Sequence, residues 1–174
     1  MTQSWIGLGA NQGDPPATLA AALDQLDRTR GVRVSCVSPA WLTPAWGVTD
    51  QPDFLNAVAG LDTALDAHEL LALLLEVERR LGRRRDGRRW GPRVIDLDLL
   101  VHGETVVDED DLVLPHPHLA GRAFVLVPLT AVAPDLMVPG MGRVDELLAA
   151  LDDREVRALS AAAPLDFQCN QSKR

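Results

Sequence analysis

Several residue types are scarce in this chain of 174 residues. It has no tyrosine, aromatic residues make up 4% of the sequence, and lysine occurs once, at Lys173. The two cysteines, Cys36 and Cys169, are too few for a disulfide framework and lie in no metal-type spacing. No apolar run is long enough to cross a bilayer, and the N-terminus lacks the layout of a secretion signal. We therefore expect a cytoplasmic protein with no membrane partner.

The net charge of −8 argues against a protein whose main task is to bind nucleic acid. An RNA-binding module that stacks bases on aromatic side chains is the main non-enzymatic alternative, and the lack of tyrosine disfavours it.

Positive charge is nevertheless concentrated in one segment, since eight of the sixteen arginines lie between Arg79 and Arg93. This pattern is typical of a local anion site. The alternative is a solvated loop whose arginines answer the dipole of a preceding helix.

Periodicity and turn residues predict a regular succession of elements. In chain order, we predict a strand at 5–9, a helix from Asp14 to Gly31, a strand at 32–42, a loop at 43–53, a strand at 54–61, a helix at 66–80, a loop at 82–91 and a strand at 93–101. A short edge strand at 106–107 and helices at 124–132 and 145–151 follow. This order predicts an α+β, ferredoxin-like (split β-α-β) antiparallel sheet with helices packed on it, plus C-terminal additions. We expect one domain over residues 1–160 and a poorly ordered tail over 161–174.

Two carboxylates, Asp96 and Asp98, are separated by one residue within a run of strand-forming aliphatics. Residues i and i+2 of a strand point to the same face, about 6.5 Å apart along the backbone. Two acids on one face repel each other, and a divalent cation relieves that repulsion. The alternative is a solvent-facing strand with acidic side chains. The neighbouring arginines favour a magnesium site that receives a polyphosphate.

The arginine loop supplies several fork-shaped donors for phosphate oxygens. Arg83, Arg85, Arg89 and Arg93 are the candidates. Phosphoryl transfer depends mainly on positioning and charge neutralisation, which such a loop can provide. The sequence has no Gly-x-x-x-x-Gly-Lys-[Ser/Thr] motif, which rules out a P-loop kinase.

Two further motifs leave their roles open. Phe54 and Asn56 share a strand face, which suits a flat heterocycle, but a core Phe with a turn-stabilising Asn fits as well. His116 and His118 lack partners spaced for a zinc site. A phosphate contact by His116 and a structural loop histidine fit equally.

These segments together resemble one family, the 6-hydroxymethyl-7,8-dihydropterin pyrophosphokinases of folate biosynthesis. The resemblance runs from about Ile6 to Asp135 and rests on residues 7–14, 43–47, 51–57, 89–100, 115–118 and 122–129. The segment Arg-Trp-Gly-Pro-Arg-x-Ile-Asp-Leu-Asp within it is highly specific for the family. Ala10 departs from the family pattern, which usually has Ser there.

The resemblance implies a ferredoxin-like fold and transfer of the β,γ-pyrophosphoryl group of ATP to the hydroxymethyl group of the dihydropterin, with release of AMP. It implies two Mg²⁺ ions held by Asp96 and Asp98. The implied catalytic residues are these two and Arg83 and Arg93. The implied ATP-binding residues are Glu78, Arg83, Arg85, Arg89, Trp90, Arg93, His116 and Arg122. The implied pterin-binding residues are Thr43, Pro44, Trp46, Gly47, Phe54, Asn56 and Phe124.

The expected partners are the small-molecule substrates, ATP and the hydroxymethyl dihydropterin. We expect a monomer that does not act on nucleic acid. The enzymatic alternative is a nucleotidyltransferase that uses the same two acids and releases pyrophosphate instead of AMP.

Overall fold

The structure is a computed structural model that describes residues 1–44, 50–83, 91–152, 154–155, 159–161 and 164–167. Its first five strands are β1 (Thr2–Ala10), β2 (Val32–Val37), β3 (Trp41–Thr43), β4 (Phe54–Thr63) and β5 (Asp96–His102). Short strands follow as β6 (Val107–Asp108), β7 (Val113–Leu114), β8 (Met137–Val138), β9 (Gly142–Arg143) and β10 (Ser160–Ala161). The helices are α1 (Pro15–Arg28), α2 (Ala67–Arg80), α3 (Ala123–Val132) and α4 (Val144–Ala149), with a 3-10 turn at Leu119–Gly121.

The main sheet is antiparallel throughout and runs in the order β10-β3-β4-β1-β5, with β2 also paired to β4. The order β2-β4-β1-β5 is that of a split β-α-β arrangement, in which each helix connects two strands that flank a third. The sequence predicted this antiparallel order. The strands β6 and β7 form one small ribbon, and β8 and β9 form another.

The two long helices begin where the sequence predicts. The Asp14 carboxylate accepts a hydrogen bond of 3.1 Å from the backbone N–H of Ala17, and prolines occupy the start of α1. At α2 the capping box is complete. The Asp66 carboxylate accepts from the Glu69 N–H, and the Glu69 carboxylate accepts from the Asp66 N–H, each at 2.9 Å.

The prediction of one strand over residues 32–42 is wrong, because the chain breaks there into β2 and β3. Pro39 has no N–H to donate to a sheet, and the Ser38 hydroxyl substitutes locally by accepting a hydrogen bond of 2.9 Å from the Val58 N–H. After the break, β3 pairs with the first residues of β4, whereas β2 pairs with its last residues. This offset brings β3 alongside Phe54 and Asn56.

The predicted strand at 93–101 also starts later than expected, at Asp96. The prediction of a strand at 106–107 is shifted by one residue in the structure, to β6, and its partner β7 was not predicted. The prediction of one domain over 1–160 with a tail over 161–174 stays a prediction. Residues 168–174 lie outside the described part of the chain.

Helices pack on both faces of the sheet. One face packs on α1 and α2 through a core that includes Ile6, Leu8 and Leu97. The other packs on α3 through a second core that includes Trp5 and Leu100, and α4 packs against α3 and adds Val144 to this core. Among the described residues, no helix has the length and apolar character needed to span a membrane. The second face is only partly apolar, and its polar part forms a cavity.

Candidate active site

A cavity of about 380 Å³ opens on the α3 side of the sheet. The register of β1 explains its position. Gly9 lies between Asn56 of β4 and Asp96 of β5, and Gly7 lies opposite Asp98. Because these glycines alternate with core residues, they face the cavity and leave its floor without side chains. The carboxylates of Asp96 and Asp98 lie on one side of this floor and are called the carboxylate wall. The side that carries the Asn56 amide is called the amide wall.

Asp96 forms the centre of the carboxylate wall and is held by two arginines. Its Oδ1 accepts a hydrogen bond of 2.5 Å from Nη1 of Arg83. Its Oδ2 pairs with Nη1 of Arg93. The Asp96 side chain is 21% exposed, so these charge-assisted bonds are shielded from bulk water only in part. Two guanidinium groups thus converge on one carboxylate at the cavity.

Asp98 shares the Asp96 face, as the sequence predicted. Burial, and secondly the negative charge of Asp96, raise the pKa of Asp98 to about 6. Nη1 of Arg122 lies 3.8 Å from the Asp98 carboxylate and opposes this shift. The carboxylate still opens to the cavity, since 37% of its side chain is exposed. Two neighbouring carboxylates fit a site for a divalent cation, because the cation removes their repulsion.

Glu78 of α2 supports the carboxylate wall from below. Its side chain is 3% exposed, and its Oε1 accepts a hydrogen bond of 2.7 Å from the Leu97 N–H, between the two aspartates. The same oxygen pairs with Nη1 of Arg83. Burial raises the pKa of Glu78 above its usual value. Glu78 therefore fixes both the strand that carries the aspartates and an arginine that contacts Asp96.

A neutral histidine lines the cavity beside Arg122. Burial, and secondly the positive charge of Arg122, lower the pKa of His116 to about 4. The His118 N–H donates to Nδ1 of His116 over 3.2 Å, so the proton of the neutral ring lies on Nε2. Arg122 itself lies over the ring of Phe124, with 5.6 Å between the guanidinium carbon and the ring centroid.

The amide wall is built by β3 and β4. Thr43, Pro44, Phe54 and Asn56 line this side of the cavity, and Phe124 of α3 lines it as well. Nδ2 of Asn56 donates a buried hydrogen bond of 2.8 Å to Oγ1 of Thr43. Aromatic rings beside a buried amide provide a stacking surface and directional hydrogen bonds.

A second cavity, of about 320 Å³, adjoins the first and shares Asp96, Asp98 and His116 with it. Glu78 and Arg83 lie at its polar end. Its remaining walls are largely apolar and are formed by Leu71, Leu75, Leu97, Leu99, Leu112, Val113 and Pro117, with Asp110 and Asp111 also contributing. The two aspartates therefore lie between two compartments, and the apolar walls of the second were not predicted from the sequence.

Asn11 is a residue that supports the site and that was not predicted from the sequence. Its side chain is buried, its Nδ2 donates to Pro52 O and Gln51 Oε1 at 3.0 Å each, and its Oδ1 accepts from the Arg93 N–H at 2.8 Å. Asn11 therefore ties the end of β1 to the segment that carries Arg93. Its place directly after a strand gave no signal of these contacts, which lie 40 or more residues away in the chain.

The structure brings most of the predicted site residues to these two cavities. They are Thr43, Pro44, Phe54, Asn56, Glu78, Arg83, Arg93, Asp96, Asp98, His116, Arg122 and Phe124. The predicted residues Trp46, Gly47, Arg85, Arg89 and Trp90 lie outside the described part of the chain.

Comparison with known proteins identifies the family. The model of the 7,8-dihydro-6-hydroxymethylpterin-pyrophosphokinase family matches residues 5–134. The chain belongs to this family. Among its relatives is the 2-amino-4-hydroxy-6-hydroxymethyldihydropteridine pyrophosphokinase of Methylorubrum extorquens, 51% identical over 87% of this chain and 95% of that protein. The protein of the same name from Pseudomonas aeruginosa is 43% identical over 91% of this chain and 97% of its own length.

Solved structures confirm the predicted fold of this pyrophosphokinase family member. The Plasmodium falciparum HPPK-DHPS chain, crystallised with SDX-DHP, matches with a TM-score of 0.66 and 12% identity over 86% of this chain. The match spans 43% of that longer chain. At this identity the likeness concerns the fold alone.

Proposed function

We propose that this chain transfers the β,γ-pyrophosphoryl group of ATP to the hydroxymethyl group of 6-hydroxymethyl-7,8-dihydropterin and releases AMP, as a step of folate biosynthesis. The observation that carries the proposal is the division of the site. Asp96 and Asp98 separate a compartment with a stacking ring and a buried amide from a second compartment with apolar walls and an arginine. Family membership supports the same reaction.

In this proposal the flat pterin lies in the first compartment. Phe54 and Phe124 contact its faces, and Asn56, with the backbone of Thr43 and Pro44, contacts its edge. This places the hydroxymethyl group toward Asp96 and Asp98 on the opposite wall. Trp46 and Gly47, in the adjoining segment, are proposed to complete the pterin site.

The nucleotide lies in the second compartment, with its base against the apolar walls and its phosphates toward the shared aspartates. Arg83, Arg93 and Arg122 neutralise the phosphate oxygens. His116 donates its Nε2–H to a phosphate oxygen, since the neutral ring retains that proton. Glu78 acts here by holding Arg83.

Asp96 and Asp98 would hold magnesium, as two ions, and their geometry and charge fit hard cations. Bound Mg²⁺ would supply charge neutralisation at the phosphates and acidify the attacking hydroxyl. Because guanidinium groups already pair with Asp96, the arginines must exchange this carboxylate for phosphate oxygens when the nucleotide enters. Arg85, Arg89 and Trp90 are proposed to close over the nucleotide from the arginine loop.

A product assay tests the reaction. Protein, ATP, Mg²⁺ and the hydroxymethyl dihydropterin are incubated, and nucleotides are separated by chromatography. AMP formed in step with a pterin diphosphate supports the proposal, whereas free pyrophosphate would identify a nucleotidyltransferase. Asp98→Ala should abolish AMP formation at saturating Mg²⁺, while Asp24→Ala, on the exposed face of α1, is the matched control.

We further propose that the protein works in the cytoplasm as a monomer, with residues 1–160 as its single domain. Sedimentation of the purified chain tests the monomer, and a species of twice the mass of 18.9 kDa would contradict it.

A further inference from the structure

Gly9 lies so close to the Asn56 amide that a side chain at position 9 would contact it. A Cβ built on Gly9 would lie 2.9 Å from Oδ1 of Asn56 and 4.0 Å from its Cγ, with no other described atom within 4 Å apart from its chain neighbours. The hydrogen in that position therefore points at the amide oxygen. Gly9 and Asn56 are also direct partners in the β1–β4 ladder, which holds them at this separation.

Thr43 constrains the other end of the same amide. Its Oγ1 accepts the 2.8 Å hydrogen bond from Nδ2 of Asn56, and both side chains are buried. A flipped amide would direct its N–H groups at the Cα hydrogens of Gly9, whereas the observed orientation places an oxygen there, which makes a weak C–H···O contact. The bare Cα of Gly9 therefore favours one orientation of the amide, and in that orientation the Thr43 hydroxyl accepts the amide N–H.

We propose that Gly9 and the Thr43 hydroxyl are positioning residues that orient the Asn56 amide, and that this orientation determines recognition of the heterocycle edge. The inference rests on the proposed function, because it names how the pterin site achieves its selectivity. With one N–H on Thr43, the amide presents its carbonyl oxygen and its second N–H to the ligand. The ligand edge must therefore offer one donor and one acceptor in a fixed order.

Gly9→Ala is the direct test. The new methyl group displaces the Asn56 amide, which lies at the end of a short side chain, so the fold survives while the hydrogen bond to Thr43 is lost. We expect the KM for the dihydropterin to rise about tenfold with kcat little changed, because the amide contact is made equally in the ground and transition states. The KM for ATP should change by less than about twofold, since the methyl group contacts no residue of the second compartment.

A double-mutant cycle separates positioning from a general effect on the strand. In an Asn56→Ala background the methyl group of Gly9→Ala meets empty space, so it should add less than about a twofold change. Gly7→Ala serves as a comparison for strand stability only, because Gly7 also faces the cavity and its Cβ would lie 3.7 Å from Cδ2 of Leu100 and 3.8 Å from Cβ of Asp98. Thermal unfolding of the two glycine variants is compared to detect any common loss of strand stability.

Thr43 provides an independent arm should Gly9→Ala fail to fold. Thr43→Val keeps the shape but removes the acceptor, and it should raise the KM for the dihydropterin about threefold to tenfold. Thr43→Ser should restore a value near that of the wild type. Equal effects of Gly9→Ala with and without Asn56, or no change in the KM for the dihydropterin, would overturn the inference while leaving the reaction intact. A wild-type protein that consumes no dihydropterin would overturn the proposed function and this inference together.

Discussion

The buried carboxylate of Glu78 offers a sharp test of how the carboxylate wall is supported. Replacement by alanine leaves the Leu97 N–H buried without its 2.7 Å partner, whereas glutamine keeps an oxygen at the same place. Both substitutions remove the buried negative charge, but glutamine also keeps the oxygen that pairs with Nη1 of Arg83, because Oε1 of Glu78 contacts both groups. The comparison of the two variants therefore measures the hydrogen bonds that this oxygen accepts from Leu97 and Arg83, together with the packing of the side chain.

The expected difference follows from these contacts. An unpaired buried N–H costs about 1–3 kcal/mol, and removal of a buried methylene costs about 0.8 kcal/mol before any cavity remains. Glu78→Ala should therefore be less stable than Glu78→Gln by about 2–4 kcal/mol, or about 10 °C in Tm for a chain of this size. Urea unfolding of the metal-free proteins, in chelator at neutral pH, measures the difference. Equal midpoints for the two variants would refute the assigned role of Glu78.

The pH dependence of the wild type against Glu78→Gln adds a second readout. Burial raises the pKa of Glu78 in the folded protein above the unfolded value of 4.5, so the folded state binds its proton more tightly. Protonation therefore favours folding as the pH falls through the folded pKa toward 4.5. The wild type should gain stability relative to Glu78→Gln over this window, and a difference that stays constant with pH would contradict the assignment.

Three further predictions concern single groups. The pKa of Asp98 is about 6, so protons compete with a cation for this carboxylate below that pH. The affinity for Mg²⁺ in the presence of a nonhydrolysable ATP analogue should therefore fall below pH 6 in calorimetric titrations. An affinity independent of pH would count against the site. Asn11→Ala should lower the free energy of unfolding by about 2–3 kcal/mol in urea, since it loses bonds to Arg93 and Pro52, and an unchanged midpoint would contradict this. ¹⁵N NMR should show His116 neutral above pH 5 with its proton on Nε2, because its pKa is lowered to about 4; a midpoint near the ordinary 6.5 would be inconsistent with it.

Much of the fold could be predicted from local sequence patterns. Alternation along the β5 sequence placed Asp96 and Asp98 on one face, and the caps at Asp14 and Asp66 marked both long helices. The continuous strand at 32–42 failed for a local reason as well. Pro39 interrupts the ladder there, and its missing N–H was visible in the sequence.

The supporting contacts of the site could not be predicted in the same way. The bond from Leu97 to Glu78 joins residues 19 positions apart, and the bond from Arg93 to Asn11 spans 82 positions. Such contacts depend on how α2 and the end of β1 pack in three dimensions. The requirement for glycine at position 9 likewise depends on a neighbouring strand, because Asn56 comes next to it only through the register of β1 with β4.

Apolar residues and glycines alternate along β1, so the same strand forms both the floor of the cavity and part of the hydrophobic core. Ile6 and Leu8 fill one side of the sheet, while Gly7 and Gly9 leave space on the other. A shift of one residue in the register of β1 would exchange the two faces. The side chains of Ile6 and Leu8 would then enter the ligand cavity, and voids would open beneath α1 and α2. A protein with the wrong strand register would therefore be both unstable and inactive. The correct register fills the core and leaves the ligand cavity open at the same time.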